Sequence, residues 1–112
     1  MQAVSILESE GLCCHVTHCC CLEQAAAAAR ADATLIQVYV ARVSTWYAKH
    51  PEALVSGRMS SAGSNDDDDA EDDMINPGVQ LVRQISTLVR KEHYKTKIIA
   101  ASVRGRGRAH VV

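Results

Sequence analysis

Thr34-Leu35-Ile36-Gln37-Val38-Tyr39-Val40 is the stretch from which the fold can be read. Its β-branched and aromatic residues suit a pleated strand, and their near-continuous apolar run suits a strand buried in a parallel sheet. Just upstream, residues 23–31 contain an alanine run with the highest helix propensity in the chain, and Asp32-Ala33 makes a short turn between the two. Just downstream, residues 43–49 read as a second helix. His50-Pro51 ends it, because the residue before a proline avoids helical angles.

Two further runs repeat the pattern. Residues 12–17 form the first candidate strand; alternation puts Cys13, His15 and Thr17 on one face and Cys14, Val16 and His18 on the other. Residues 97–103 form the third. Residues 1–10 read as a helix with Val4, Ile6 and Leu7 on one side, and Gly11 stands where such a helix would stop. Before the third strand, Asn76 can cap a helix and Pro77 suits its first position. Val79, Val82, Ile85, Leu88 and Val89 then recur at spacings of three and four, an amphipathic helix ending near residues 91–93. The alternation of helices and strands implies a parallel sheet.

In parallel α/β proteins ligands sit at the carboxyl ends of the strands. There this sequence places Thr17, Arg42, Ser102 and Arg104. Two guanidinium groups and two hydroxyls suit a phosphate or a carboxylate, since arginine offers planar, bidentate donors.

Composition narrows the class. The chain has 112 residues, 47% of them hydrophobic, and a formal net charge of -1, which suits one globular domain. No apolar stretch approaches the roughly 18–20 residues of a membrane helix, and Met1 opens directly into a helical pattern, so neither membrane association nor a secretion signal is expected. Five cysteines (Cys13, Cys14, Cys19, Cys20 and Cys21) fall within nine residues. Their odd number and adjacency point to a reducing compartment: the cytosol, with a plastid or another organelle as the alternative. With His15 and His18 they have the ligand types for zinc but no paired spacing, so they read as small buried thiols and no metal is expected.

Residues 56–75 are small, polar and then acidic, a composition that favours a disordered loop insertion and would otherwise serve as an acidic docking segment. The tail, residues 105–112, continues an arginine–glycine alternation and reads as a frayed terminus rather than a nucleic-acid contact. The domain organisation is thus a β/α segment over 1–55, the acidic loop, a helix and strand over 76–104, and the tail.

Glu10-Gly11-Leu12-Cys13-Cys14-His15-Val16-Thr17, Gln24-Ala25, Thr34-Leu35-Ile36, Arg42 and Trp46-Tyr47 follow one another in an order that resembles the second half of a transaldolase. Asn76-Pro77-Gly78-Val79, Tyr94-Lys95-Thr96 and Ala101-Ser102-Val103-Arg104 continue the likeness. The resemblance implies a stretch of a class I aldolase-like (β/α)₈ TIM barrel, about strands five to seven, incomplete and not closed, since a full barrel takes about 250 residues. It also implies the pentose-phosphate-pathway chemistry of that family, in which a dihydroxyacetone unit passes between sugar phosphates through a lysine Schiff base, with no cofactor. By the same resemblance Thr17 positions the catalytic water, Arg42 and Arg104 hold the substrate phosphate, and Ser102 stands beside the second arginine.

The departures from the family pattern are specific. His15 replaces an asparagine, Gln37 a serine, and Val38-Tyr39 a proline–phenylalanine pair; Val103 replaces an aromatic, and Gly105 stands where a polar amide is common. His18 and Cys19–Cys21 occupy positions rich in leucine and phenylalanine. The family's Schiff-base lysine belongs on the fourth strand and its proton-shuttling acids on the first and third, all of which would precede Met1. Of the lysines present (Lys49, Lys91, Lys95 and Lys97), Lys97 opens its strand, roughly 16–17 Å from the far end. The expectation is a truncated, inactive transaldolase-like chain that still takes a sugar phosphate. The competing expectation is a non-enzymatic module that pairs with itself or another chain through open sheet edges or the acidic segment.

Overall fold

Three strands, β1 (His15–Val16), β2 (Leu35–Tyr39) and β3 (Lys97–Ala101), lie parallel in one open sheet in the order β1-β2-β3. The structure is a computed structural model that describes residues 1–56 and 76–103. The expectations for the acidic loop, for Arg104 and for the tail therefore fall outside the described residues, apart from Ser56 at the loop's first position. Around the sheet run α1 (Gln2–Ser9), α2 (Leu22–Arg30), α3 (Val40–Lys49), α4 (Pro51–Ser56) and α5 (Pro77–Lys91). The chain is a mixed α/β protein whose strands are joined by helical crossovers.

The core forms on one side of the sheet. Ile36 and Val38 of β2 are fully buried there against Ala25, Ala28 and Ala29 of α2, Val40 and Val43 of α3, and Val79, Val82 and Ile85 of α5. The small alanine side chains let α2 approach closely, and α5 packs against both α2 and α3. Leu81, outside the spacing read from the sequence, is buried as well. On the opposite face Leu35, Gln37 and Tyr39 remain partly exposed, and Ile99, paired in register with Gln37, is 39% exposed. A strand expected to be buried on both faces is thus covered on one.

Strand lengths depart from expectation for identifiable reasons. β1 pairs only at His15 and Val16 because the backbone before it is engaged elsewhere: Leu12 N–H donates to Leu7 O (2.9 Å), and Cys14 N–H to the Glu8 carboxylate (2.7 Å). The same carboxylate accepts from Thr34 N–H (2.7 Å) and Thr34 Oγ1 (3.0 Å), tying α1 to the start of β2. β3 ends at Ala101 rather than 103, since Ser102 turns to φ 58° and leaves the extended region.

Among the helices, Gly11 at φ 84° follows α1 as expected. The apolar side of α1 is not buried, however: Ile6 and Leu7 are 51% and 39% exposed, and only Val4 packs on the core. α3 begins at Val40, three residues earlier than expected. Pro51 both follows the end of α3 and opens α4, because proline suits a first helical position. α5 starts as read: the Asn76 side chain accepts from Gly78 N–H (3.1 Å) and Val79 N–H (3.2 Å). Among the described residues no helix is long and apolar enough to cross a membrane.

Candidate anion site at the carboxyl ends of the strands

The site grows from the last residues of β1 and β2. Beyond Val16 the chain passes through Thr17 to His18, whose φ of 59° lies in the left-handed region, and Cys19 N–H then returns to the sheet by donating to Gln37 O (3.2 Å). This bend buries Cys19, at 1% exposure, and leaves Thr17 and His18 exposed. Thr17 Oγ1 lies 3.5 Å from His18 Nδ1.

The His18 ring rests on Tyr39, the last residue of β2, with centroids 4.7 Å apart and planes at 44°. Arg42 lies in the first turn of α3, because that helix begins directly where β2 ends, and its guanidinium carbon stands 5.3 Å from the centroid of the same Tyr39 ring. That distance is within the range of a cation–π contact. Thr17, His18, Tyr39 and Arg42 thus form one chain of contacts drawn from two strand ends and a helix start. Arg42 is exposed, so its charge faces solvent and is open to an anion.

Ser102 reaches the same end by register. Tyr39 pairs with Ala101, and Ser102 is the next residue, exposed, at φ 58°. Two non-glycine residues with positive φ, His18 and Ser102, therefore cap two of the three strands at this rim, and such conformations concentrate at functional sites. The other two among the described residues, Asp32 and His93, lie at the opposite end, just after α2 and α5, where a left-handed residue commonly terminates a helix. His15 is exposed on β1, paired with Leu35, and lies two residues, about 7 Å at strand rise, before Thr17.

The amino end has different chemistry. A cavity of about 600 Å³ is lined there by Ser5, Glu8, Asp32, Thr34, His93 and Thr96, among others. Hydrogen bonds from the Cys14 backbone, and then from the Thr34 side chain, hold the Glu8 carboxyl below its ordinary pKa. All four lysines also belong to this half: Lys49 and Lys91 end α3 and α5, Lys95 lies in the connection before β3, and Lys97 is the first residue of β3.

The cysteines do not behave as one class. Cys19 is buried, but Cys13 and Cys20 are exposed and Cys14 and Cys21 half-buried, which corrects the expectation of buried thiols. Burial pushes the Cys14 and Cys19 thiols up from their ordinary pKa, toward the neutral, poorly nucleophilic form. Among the described residues no group of three or more His, Cys, Asp or Glu is arranged to hold a metal ion.

Sequence reading named Thr17, Arg42 and Ser102 but missed the two rings between them. Tyr39 carried a signal, being the last residue of its strand on the same face as Gln37. The turn at His18 carried none, since no glycine marks it. The model of the transaldolase/fructose-6-phosphate aldolase family matches residues 1–109 of this chain.

Proposed function

The chain belongs to the transaldolase/fructose-6-phosphate aldolase family, and from that membership we propose that it is a transaldolase-like protein that binds a sugar phosphate but does not itself form the family's Schiff base. In this reading β1, β2 and β3 are the fifth to seventh strands of a (β/α)₈ barrel, and the rim they share is its phosphate side.

One observation carries the reading: Arg42 and the lysines lie at opposite ends of the sheet. Arg42 stands with Thr17 and Ser102 at the carboxyl ends, where barrel chemistry takes place. Lys97 pairs with Leu35 at the amino end of β2, about 13 Å short of Ala101 along its strand. An amine nucleophile also needs a desolvated or cationic pocket to lose its proton at neutral pH, and Lys97 is exposed. A phosphate held by Arg42 would therefore present its sugar carbonyl to no lysine of this chain. Arg104 follows Ser102 in sequence and is assigned here, by family position, to the same phosphate. The odd, crowded cysteines support a reducing compartment such as the cytosol.

The test compares the affinities of the full chain and its Arg42→Ala variant for fructose 6-phosphate and for fructose. The phosphate ester is expected to bind and fructose not to. Loss of one charge-assisted contact should weaken binding by about tenfold. Equal binding of fructose 6-phosphate to both proteins would overturn the assignment.

A further inference from the structure

We propose that His18 is a further anion-binding residue at this rim, adding an imidazole N–H to the contact supplied by Arg42. The proposal rests on the sugar-phosphate reading above and extends it to a residue that the family pattern does not include, since His18 stands where leucine or phenylalanine is usual.

The geometry is specific. His18 is exposed and shares the Tyr39 ring with Arg42, at 4.7 Å between ring centroids for the imidazole and 5.3 Å for the guanidinium carbon. Thr17 Oγ1 sits 3.5 Å from Nδ1, so Nε2 is the ring nitrogen that would donate to the anion. The left-handed backbone at His18 (φ 59°) places the ring beside Tyr39, and the Cys20 thiol, which donates to His18 O (3.3 Å), helps close the turn. An apolar residue here would only cover Tyr39. An imidazole covers it and also presents an N–H at the rim.

The groups facing the ring among the described residues are Thr17 and Tyr39, with Arg42 on the same tyrosine and Cys20 against the backbone. None of these contacts is a carboxylate that would compete with an incoming anion. A ring N–H donates to phosphate or sulfate oxygens, so removing the imidazole should weaken anion binding.

Inorganic sulfate is the probe, because it is a dianion at neutral pH whereas a phosphate monoester titrates near pH 6. Sulfate is titrated into the full chain at a single neutral pH while the histidine ring resonances are followed by NMR. The comparison proteins are His18→Asn, chosen because asparagine tolerates the left-handed conformation, and Arg42→Ala; unfolding midpoints confirm that both keep the native fold. The native chain should bind sulfate roughly three- to fivefold more tightly than His18→Asn, the scale of one exposed contact, with the His18 resonances moving on binding. His18→Asn should keep the weaker binding that Arg42 supplies. Equal sulfate affinity of His18→Asn and the native chain overturns the role of His18; if Arg42→Ala still weakens binding about tenfold, the phosphate-side reading stands. Sulfate binding indifferent to both substitutions overturns both.

Discussion

Replacing Gly78 with alanine should destabilise this protein, opposite to the usual direction of such a change in a helix. Gly78 is the second residue of α5 and is buried against the start of α3. A Cβ added there would lie 2.8 Å from Ser44 Oγ and 2.9 Å from the Val40 carbonyl carbon, and closer still to the Val40 oxygen. Ser44 can rotate away. The Val40 backbone cannot, because it joins β2 to α3 and its side chain is only 2% exposed in the core. An unhindered Gly→Ala change in a helix contributes about 0.5–1 kcal/mol of stability; overpacking against a fixed backbone costs about 1–3 kcal/mol. The net expectation is a loss of about 1–2 kcal/mol, a sizeable share of the 5–15 kcal/mol typical of a domain. Urea unfolding followed by far-UV circular dichroism measures it. With a slope of about 1–3 kcal/mol per M, the midpoint should fall by roughly 0.5–1 M at unchanged slope. Any displacement of α3 also carries Arg42, two residues beyond Val40, so fructose 6-phosphate affinity should fall in the same variant. A midpoint that stays or rises would refute the close approach of α3 and α5.

Glu8 gives a pH signature. Its folded-state pKa is lowered, so its contribution to stability is present above the ordinary carboxyl pKa of 4.5 and is lost as pH falls through the lower folded value. The native urea midpoint should decline on acidification below about pH 5 and Glu8→Gln should decline less, the two curves converging in acid; parallel curves would contradict the carboxylate bridge. Asn76→Ala removes the acceptor of two α5 N–H groups and should cost about 1 kcal/mol by the same unfolding assay. Ser102→Gly relieves a left-handed φ of 58° and should leave stability equal or higher, whereas Ser102→Val should lower it by about 1–2 kcal/mol; the reverse order would place Ser102 in a different conformation.

Much of the scaffold was legible because its determinants are local. The β-branched runs marked β2 and β3, and Asn76-Pro77 marked the first residue of α5. What escaped depends on contacts between residues distant in sequence or on backbone states that leave no compositional trace. Glu8 shortens β1 by taking the amide of Cys14, six residues on, and it ties down Thr34, twenty-six residues on. α3 begins at Val40 without a side-chain cap from Tyr39, so its β-branched first residue reads as strand. At the rim, Thr17, Arg42 and Ser102 were readable from their positions after strands. The Tyr39 ring that links His18 to Arg42 was not, because the link requires a left-handed turn at a histidine.

The central claim is that this chain offers a phosphate-binding rim and no Schiff-base amine. Its most direct test is to incubate the full chain with fructose 6-phosphate and sodium borohydride and to measure the intact mass. The account predicts an unchanged mass of 12.1 kDa. A stoichiometric gain matching a reduced dihydroxyacetone unit, mapped to any of Lys49, Lys91, Lys95 or Lys97, would contradict it.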